Sequence, residues 1–171
     1  LDSQIARVIN SLKQSGKMDN TIIVITGDHG EEFMEKGRWG HNSTFSEEQV
    51  RVPMILHIPG QPAAQHDFLS SHLDLPATVL QALGINIDPK LHSYGSNLLS
   101  PQYQRDYTVV SDWHGNSLVT KNIKYVMSSK ARQLGNNITT IDDTPITADD
   151  IQADDKKTLT QFIKDVSRFY K

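Results

Sequence analysis

The chain has 171 residues, 37% hydrophobic and 22% charged, with ten Gly, seven Pro and no Cys. That describes one ordinary globular domain with enough apolar residues to form a core, and it excludes collagen-like, low-complexity and globally disordered classes. Without Cys there is no disulfide framework, thiolate metal site or cysteine nucleophile, and seventeen basic against twenty acidic residues, net charge −3 with no Lys/Arg cluster, give no reason to expect nucleic acid as a partner.

In chain order, Ile5, Val8, Ile9 and Leu12 recur at helical spacing from Leu1 to Ser15, and Gly16 stands as the C-cap of an amphipathic helix. A turn through Lys17–Asn20 leads into the strand Thr21–Thr26, apolar on both faces as in a central strand of a sheet covered by helices. Gly27–Gly30 breaks that strand, and polar side chains just past the carboxyl end of such a strand are the usual place for ligands in open α/β sheets. Glu31–Gln49 reads as a long loop with one helical turn, which in a compact domain points to function or disorder. The acidic residues Glu31, Glu32 and Glu35 are expected to be solvated. A second apolar strand runs Val52–Ile58, closed by Pro59-Gly60, and Phe68–His72 is a short strand or a loop.

Asp74, with Pro76, Ala77, Val79, Leu80 and Leu83, predicts a capped helix ended by Gly84. Residues 85–104 are a polar connection with turn signals at Asp88-Pro89 and Ser100-Pro101. Strands at Tyr107–Ser111, Ser117–Thr120 and Lys124–Ser128 have the spacing of a meander, with Asp112-Trp113-His114-Gly115 as a β-turn. Asp142 to Asp155 holds six Asp and no base, the composition of a solvated, mobile segment. A last amphipathic helix presents Leu159, Phe162, Ile163, Val166 and Phe169. Of Tyr94, Tyr103 and Trp113, which could pack or line a lipid surface, packing is expected for at least two.

The stretch richest in chemistry is Thr26-Gly27-Asp28-His29-Gly30-Glu31-Glu32. On a tight turn between two glycines, Asp28 and His29 can converge on one point. One carboxylate and one imidazole form a donor set suited to Zn²⁺, Mn²⁺ or, less well, Mg²⁺, though a hydrogen-bonded pair is the plainer account of the two alone. His41, in Trp39-Gly40-His41-Asn42, could be a ligand, a proton donor or a hydrogen-bond donor to an anionic substrate. His57 reads as a core or edge residue, His66 and His92 lie in connections, and His72 flanks a helix start. No Gly-x-Ser-x-Gly elbow and no phosphate-cradling Gly-rich loop before Lys-Ser/Thr occurs.

Taken together, Asp19 through Glu32, then Gly40-His41, Glu47-Glu48, Arg51-Val52-Pro53-Met54-Ile55, Pro59-Gly60 and His72-Leu73-Asp74-Leu75-Pro76-Ala77-Thr78-Val79-Leu80 resemble the alkaline phosphatase/sulfatase superfamily over about residues 1–100. Gly95-Ser96-Asn97-Leu98-Leu99 and the meander look most like the periplasmic domain of YejM-like inner-membrane sulfatase-related proteins. The resemblance implies an α/β fold, a partial alkaline-phosphatase-like sheet covered by helices with a C-terminal antiparallel meander and terminal helix. Residues 1–171 would be a single domain, with the metal site in 1–100 and the meander and helix in 101–171.

It further implies a metal-dependent hydrolase or transferase acting on phosphate or sulfate esters, lipid-linked esters included. Asp28 and His29 would bind the catalytic divalent metal, with Zn, Mn, Mg and Ca not distinguished. His41 would contact substrate or leaving group, or bind a second metal. The superfamily's nucleophile and its first acidic ligand lie upstream of this turn, and no Cys or Ser-x-Pro-x-Arg run is present. The chain begins with Leu and reads as a piece of a longer protein, inactive without the upstream half of its domain and held at the membrane through a missing N-terminal segment. A non-catalytic lipid-binding or regulatory periplasmic domain that keeps the fold is the alternative.

Overall fold

The structure, a computed structural model, describes residues 1–88, 91, 93–113, 115–128 and 137–167. His92, His114, Pro89 and Phe169, and the side chain of Val166, lie outside the described residues. The opening helix α1 spans Asp2–Gln14. It ends as the glycine predicted: Gly16 sits at φ 66°, and Lys17 N–H reaches Leu12 O at 2.9 Å, closing the orphan carbonyls of the last turn. None of its residues is buried, and Val8 is 61% exposed.

After a 3-10 turn at Met18–Asn20, strand β1, Ile23–Thr26, stops before Gly27. Two short strands follow, β2 at Glu32–Phe33 and β3 at Trp39–Gly40, then a one-turn helix α2 at Glu47–Val50. Strand β4, Met54–His57, runs antiparallel to β1 with Ile25 opposite Ile55. Both strands match the apolar runs, but the cover expected on each face is not complete among the described residues, where Val24 and Ile55 are exposed. Residues 68–72 carry no strand.

Helix α3, Asp74–Ala82, follows with Leu73 at the N-cap and no side-chain cap, so the cap expected of Asp74 does not form and Asp74 serves instead as an anchor. Its carboxylate is fully buried and accepts Ser71 N–H at 2.9 Å, Ser96 N–H at 2.8 Å and Tyr103 OH at 2.9 Å. Arg105 supplies the neutralising charge. The connection 85–104 is thereby tied back to the helix start, a task that local sequence spacing does not disclose. Burial and the neighbouring carboxylate both push the Tyr103 hydroxyl above its usual range.

The C-terminal meander has five strands: β5 Thr108–Asp112, β6 Gly115–Val119, β7 Ile123–Ser128, β8 Asn137–Thr140 and β9 Pro145–Ile146, each antiparallel to its sequential neighbour. Asp112 turns the first hairpin by accepting Gly115 N–H at 2.8 Å. The terminal helix α4, Ala153–Ser167, packs on this sheet, and Leu118, Ile123, Tyr125, Ile138, Ile151 and Phe162 form the main core.

Two expectations are corrected. The acidic segment is not simply solvated. Asp155 is 4% exposed and accepts Thr120 OH at 2.7 Å and Asn122 Nδ2 at 3.1 Å, and Asp143 pairs with the buried Lys124. Asp150 forms a capping box with Thr147, whose hydroxyl and backbone N–H hold the Asp150 carboxyl below its usual range. An Asp-rich run thus supplies caps and counter-charges to distant partners. Tyr94 and Trp113 are 80% and 86% exposed, so of the three aromatics only Tyr103 packs.

Leu118 has no exposed surface at the centre of the core. Leu118→Ala is expected to destabilise the chain by about 2–5 kcal/mol, read as a lower urea midpoint with the same slope.

Candidate metal centre

The turn after β1 gets its shape from close packing against α2. Gly30 N–H donates to Gln49 O at 2.9 Å, and a Cβ on Gly30 would stand 2.0 Å from Glu48 O, so no larger residue fits without moving one of the two segments. His29 Nδ1 bonds Gly30 O at 2.9 Å. A carbonyl can only accept, so the proton sits on Nδ1 and the Nε2 lone pair is free for a ligand.

The loop after the turn is folded by two buried side chains. Glu32 has no exposed surface. Its Oε1 accepts the backbone N–H groups of Lys36 at 3.1 Å and Arg38 at 2.8 Å, and its Oε2 accepts Ser46 OH at 2.9 Å and Gln49 Nε2 at 2.8 Å. Burial alone would raise the Glu32 pKa, but the bonds from Gln49, Arg38, Ser46 and Lys36 outweigh it and hold the carboxyl below its ordinary value. The expectation of a solvated Glu32 is therefore wrong. A fully satisfied carboxylate can be buried where a bare one cannot. Gln49, 4% exposed, accepts Ser43 and Thr44 N–H through Oε1 at 3.1 and 3.3 Å.

Between these anchors the chain pairs Glu32 with Gly40 and Phe33 with Trp39. Continuing that register sets Glu31 opposite His41. Gly40 at φ 94° and Asn42 at φ 59° bracket His41 with left-handed backbone, which Gly adopts freely and Asn tolerates. His41 Nδ1 meets Glu31 Oε2 at 2.8 Å, leaving its Nε2 free as well. The rings of His29 and His41 lie 4.1 Å apart, centroid to centroid.

His29, Glu31 and His41 each place a ligating atom within 4.8 Å of the other two. Asp28 stands beside them: its Oδ2 is 3.6 Å from His29 Nε2, and its side chain is 91% exposed. Its own backbone N–H, then that of His29, then the His29 ring keep the Asp28 carboxyl below its usual range. Two imidazoles with a carboxylate form a borderline donor set that fits Zn²⁺ or Mn²⁺. Of the residues the sequence pattern singled out, the structure brings His29 and His41 together with Glu31 and leaves Asp28 beside the group. Glu31 was expected to be solvated, and its signal was its place one residue before a short hairpin ending in Gly-His. His57 and His72 bond Met18 O and Thr26 OH, and His66 stacks on Phe68. None of the three joins the cluster.

The mixed α/β architecture with its five-stranded C-terminal sheet is that of sulfatase-like enzymes. The solved structures it resembles include a phosphonate monoester hydrolase from Silicibacter pomeroyi, with TM-score 0.75 and 22% identity over 98% of this chain and 38% of that one. A putative sulfatase from Bacteroides thetaiotaomicron gives TM-score 0.74 at 20% identity, over 98% of this chain and 39% of that one. A model of the Sulfatase family matches residues 1–85. The chain belongs to the alkaline phosphatase/sulfatase superfamily.

Within the superfamily it resembles the inner membrane protein YejM of Salmonella typhimurium, 28% identical over 131 residues that cover 75% of this chain and 22% of that protein. The choline-sulfatase of Rhizobium meliloti is 31% identical over 88 residues, 52% of this chain and 17% of that enzyme. The chain thus spans about a fifth of the length of these relatives. No helix among the described residues is long and apolar enough to cross a membrane.

Because the Glu32 carboxyl has a lower pKa folded than its unfolded value of about 4.3, its contribution to stability is fully present above that value and is lost as pH falls through the folded pKa. Urea midpoints measured from pH 7 to pH 3 should drop along this limb. In Glu32→Gln they should start lower at pH 7 and fall less steeply.

Proposed function

We propose that the chain carries part of the catalytic centre of a metal-dependent hydrolase or transferase acting on phosphate or sulfate esters, and that the whole protein presents it as the periplasmic domain of an inner-membrane protein. The convergence of His29, Glu31 and His41 carries this reading, and the superfamily membership and the YejM and choline-sulfatase likenesses support it. Asp28 and His29 hold the divalent ion, Asp28 through its ionised carboxylate and His29 through Nε2. When bound, that ion supplies positive charge to the ester oxygens and an acidified nucleophile.

His41 places Nε2 at the rim of the same point; with its Nδ1–H given to Glu31, a second proton on Nε2 would let it donate to an ester oxygen or to the departing group. Glu31 orients the His41 ring by accepting its Nδ1–H, which fixes the tautomer. The Gly30 turn and the Glu32 anchor hold these groups in place before substrate arrives, so little reorganisation remains for the binding step. The nucleophile comes from elsewhere in the parent protein, so that this chain by itself binds metal without turning over. A lipid-linked ester is compatible with the YejM likeness.

Calorimetric titration of the purified chain with Zn²⁺ and with Mn²⁺ tests the reading. One site is expected, and His29→Ala should weaken it by more than the roughly 10-fold typical of losing an outer-shell partner. Equal affinity in the double variant Asp28→Ala, His29→Ala would sink the metal assignment and favour a non-catalytic lipid-binding or regulatory domain. Turnover of a phosphate or sulfate monoester by the chain alone, above that of the double variant, would overturn the need for an outside nucleophile.

A further inference from the structure

The loop that carries His41 is gripped from the C-terminal sheet by one carboxylate. Asp143 sits in the turn between β8 and β9 with φ 69°, a conformation Asp tolerates better than most residues. Its Oδ2 accepts the backbone N–H of Glu47 at 3.0 Å and lies 3.9 Å from Lys36 Nζ. Lys36 Nζ also donates to the neighbouring Asp142 O at 3.4 Å. The Asp143 Oδ1 pairs with Lys124 Nζ, and Lys124 in turn meets Glu47 Oε1 at 3.1 Å. Lys36 and Glu47 bracket His41 in sequence, so both ends of its loop end on the same side chain.

This is not an ordinary surface ion pair. Lys124 is 1% exposed and the Asp143 side chain 14%, so solvent screens the pair little and neither charge has an alternative in water. Lys124 stands on β7 with Tyr125 of the main core as its neighbour. The clamp therefore reaches the His41 loop from the best-packed part of the chain.

We propose that Asp143 is a positioning residue for His41: by holding Lys36 and Glu47 to the C-terminal sheet, it sets the loop so that His41 meets Glu31 and faces His29. The proposal rests on the reading of His29 and His41 as parts of one site, and it gives the meander a role at that site although it contributes no ligand. Geometry of this kind matters because a ligand or substrate contact displaced by about 1 Å loses most of its effect.

The test compares the full chain with Asp143→Ala and Asp143→Asn by nitrogen–proton correlation spectra of the imidazoles and by Zn²⁺ titration. In Asp143→Ala the His41 Nδ1–H signal, sheltered by Glu31, should vanish or average, while the His29 signal, bound within its own turn to Gly30 O, stays. Zn²⁺ affinity should fall about 10-fold, the scale of an outer-shell loss. Asp143→Asn keeps an oxygen for Glu47 N–H and should restore part of both readouts.

A folded Asp143→Ala with unchanged His41 signal and Zn²⁺ affinity overturns the proposal. Should Asp143→Ala not fold, Lys36→Gln opens one end of the clamp and leaves the Asp143–Lys124 pair intact. A partial loss of the His41 signal there supports the proposal, and an unaltered signal overturns it. If the His41 signal responds but no variant or parent binds Zn²⁺, the positioning role stands and the metal reading fails.

Discussion

The site depends first on a buried negative charge. The Glu32 carboxylate lies without solvent contact beside the Asp28-His29-Gly30 turn, and it is stable there because backbone and side-chain donors from Lys36, Arg38, Ser46 and Gln49 surround it. Its donors lie along most of the segment between β2 and α2, so saturating one carboxylate folds that whole segment. A loop of that length with almost no regular structure would otherwise carry a large conformational entropy. The Gly40-His41-Asn42 bend inherits its position from this arrangement.

The same device recurs. Asp74 gathers the connection after α3, and Lys124 gathers Glu47 and Asp143. Where the C-terminal sheet and α4 meet, apolar side chains form the core, with the buried Asp155 bonded to Thr120 and Asn122 beside it. Toward the amino-terminal half, the buried carboxylates of Glu32 and Asp74, each held by several donors, take over much of the work of holding the fold. Removing one partner from such a set leaves an unpaired charge in a poor solvent, which makes these positions less forgiving than apolar ones of equal burial.

How much of this could be read beforehand follows from the range of each interaction. Helix α1 with its Gly16 stop, strands β1 and β4, helix α3 and the first three strands of the meander are written in local periodicity and turn residues. The Asp28-His29-Gly30 motif and His41 stood out by type and by flanking glycines. Glu31, Glu32 and Asp143 did not, because an acidic residue in a polar stretch has the same local appearance whether its partner is water, as expected, or a histidine, a set of loop donors or a buried lysine, as found. The β8 and β9 strands hid for a related reason: β9 has two residues, and the Asp-rich run around it dominates the composition. Tyr94 and Trp113 erred in the other direction, since aromatic character by itself does not decide what lies opposite the ring.

Strand β1 bonds to β4 along one side, and among the described residues nothing bonds its other side. That free edge is short, carries the exposed Val24 and has no Lys or Pro within Ile23–Thr26 of the kind that discourages edge-to-edge addition. An edge of this kind is a ready place for one more β-strand to pair, so in the longer protein proposed above it is where the rest of the sheet could join this chain.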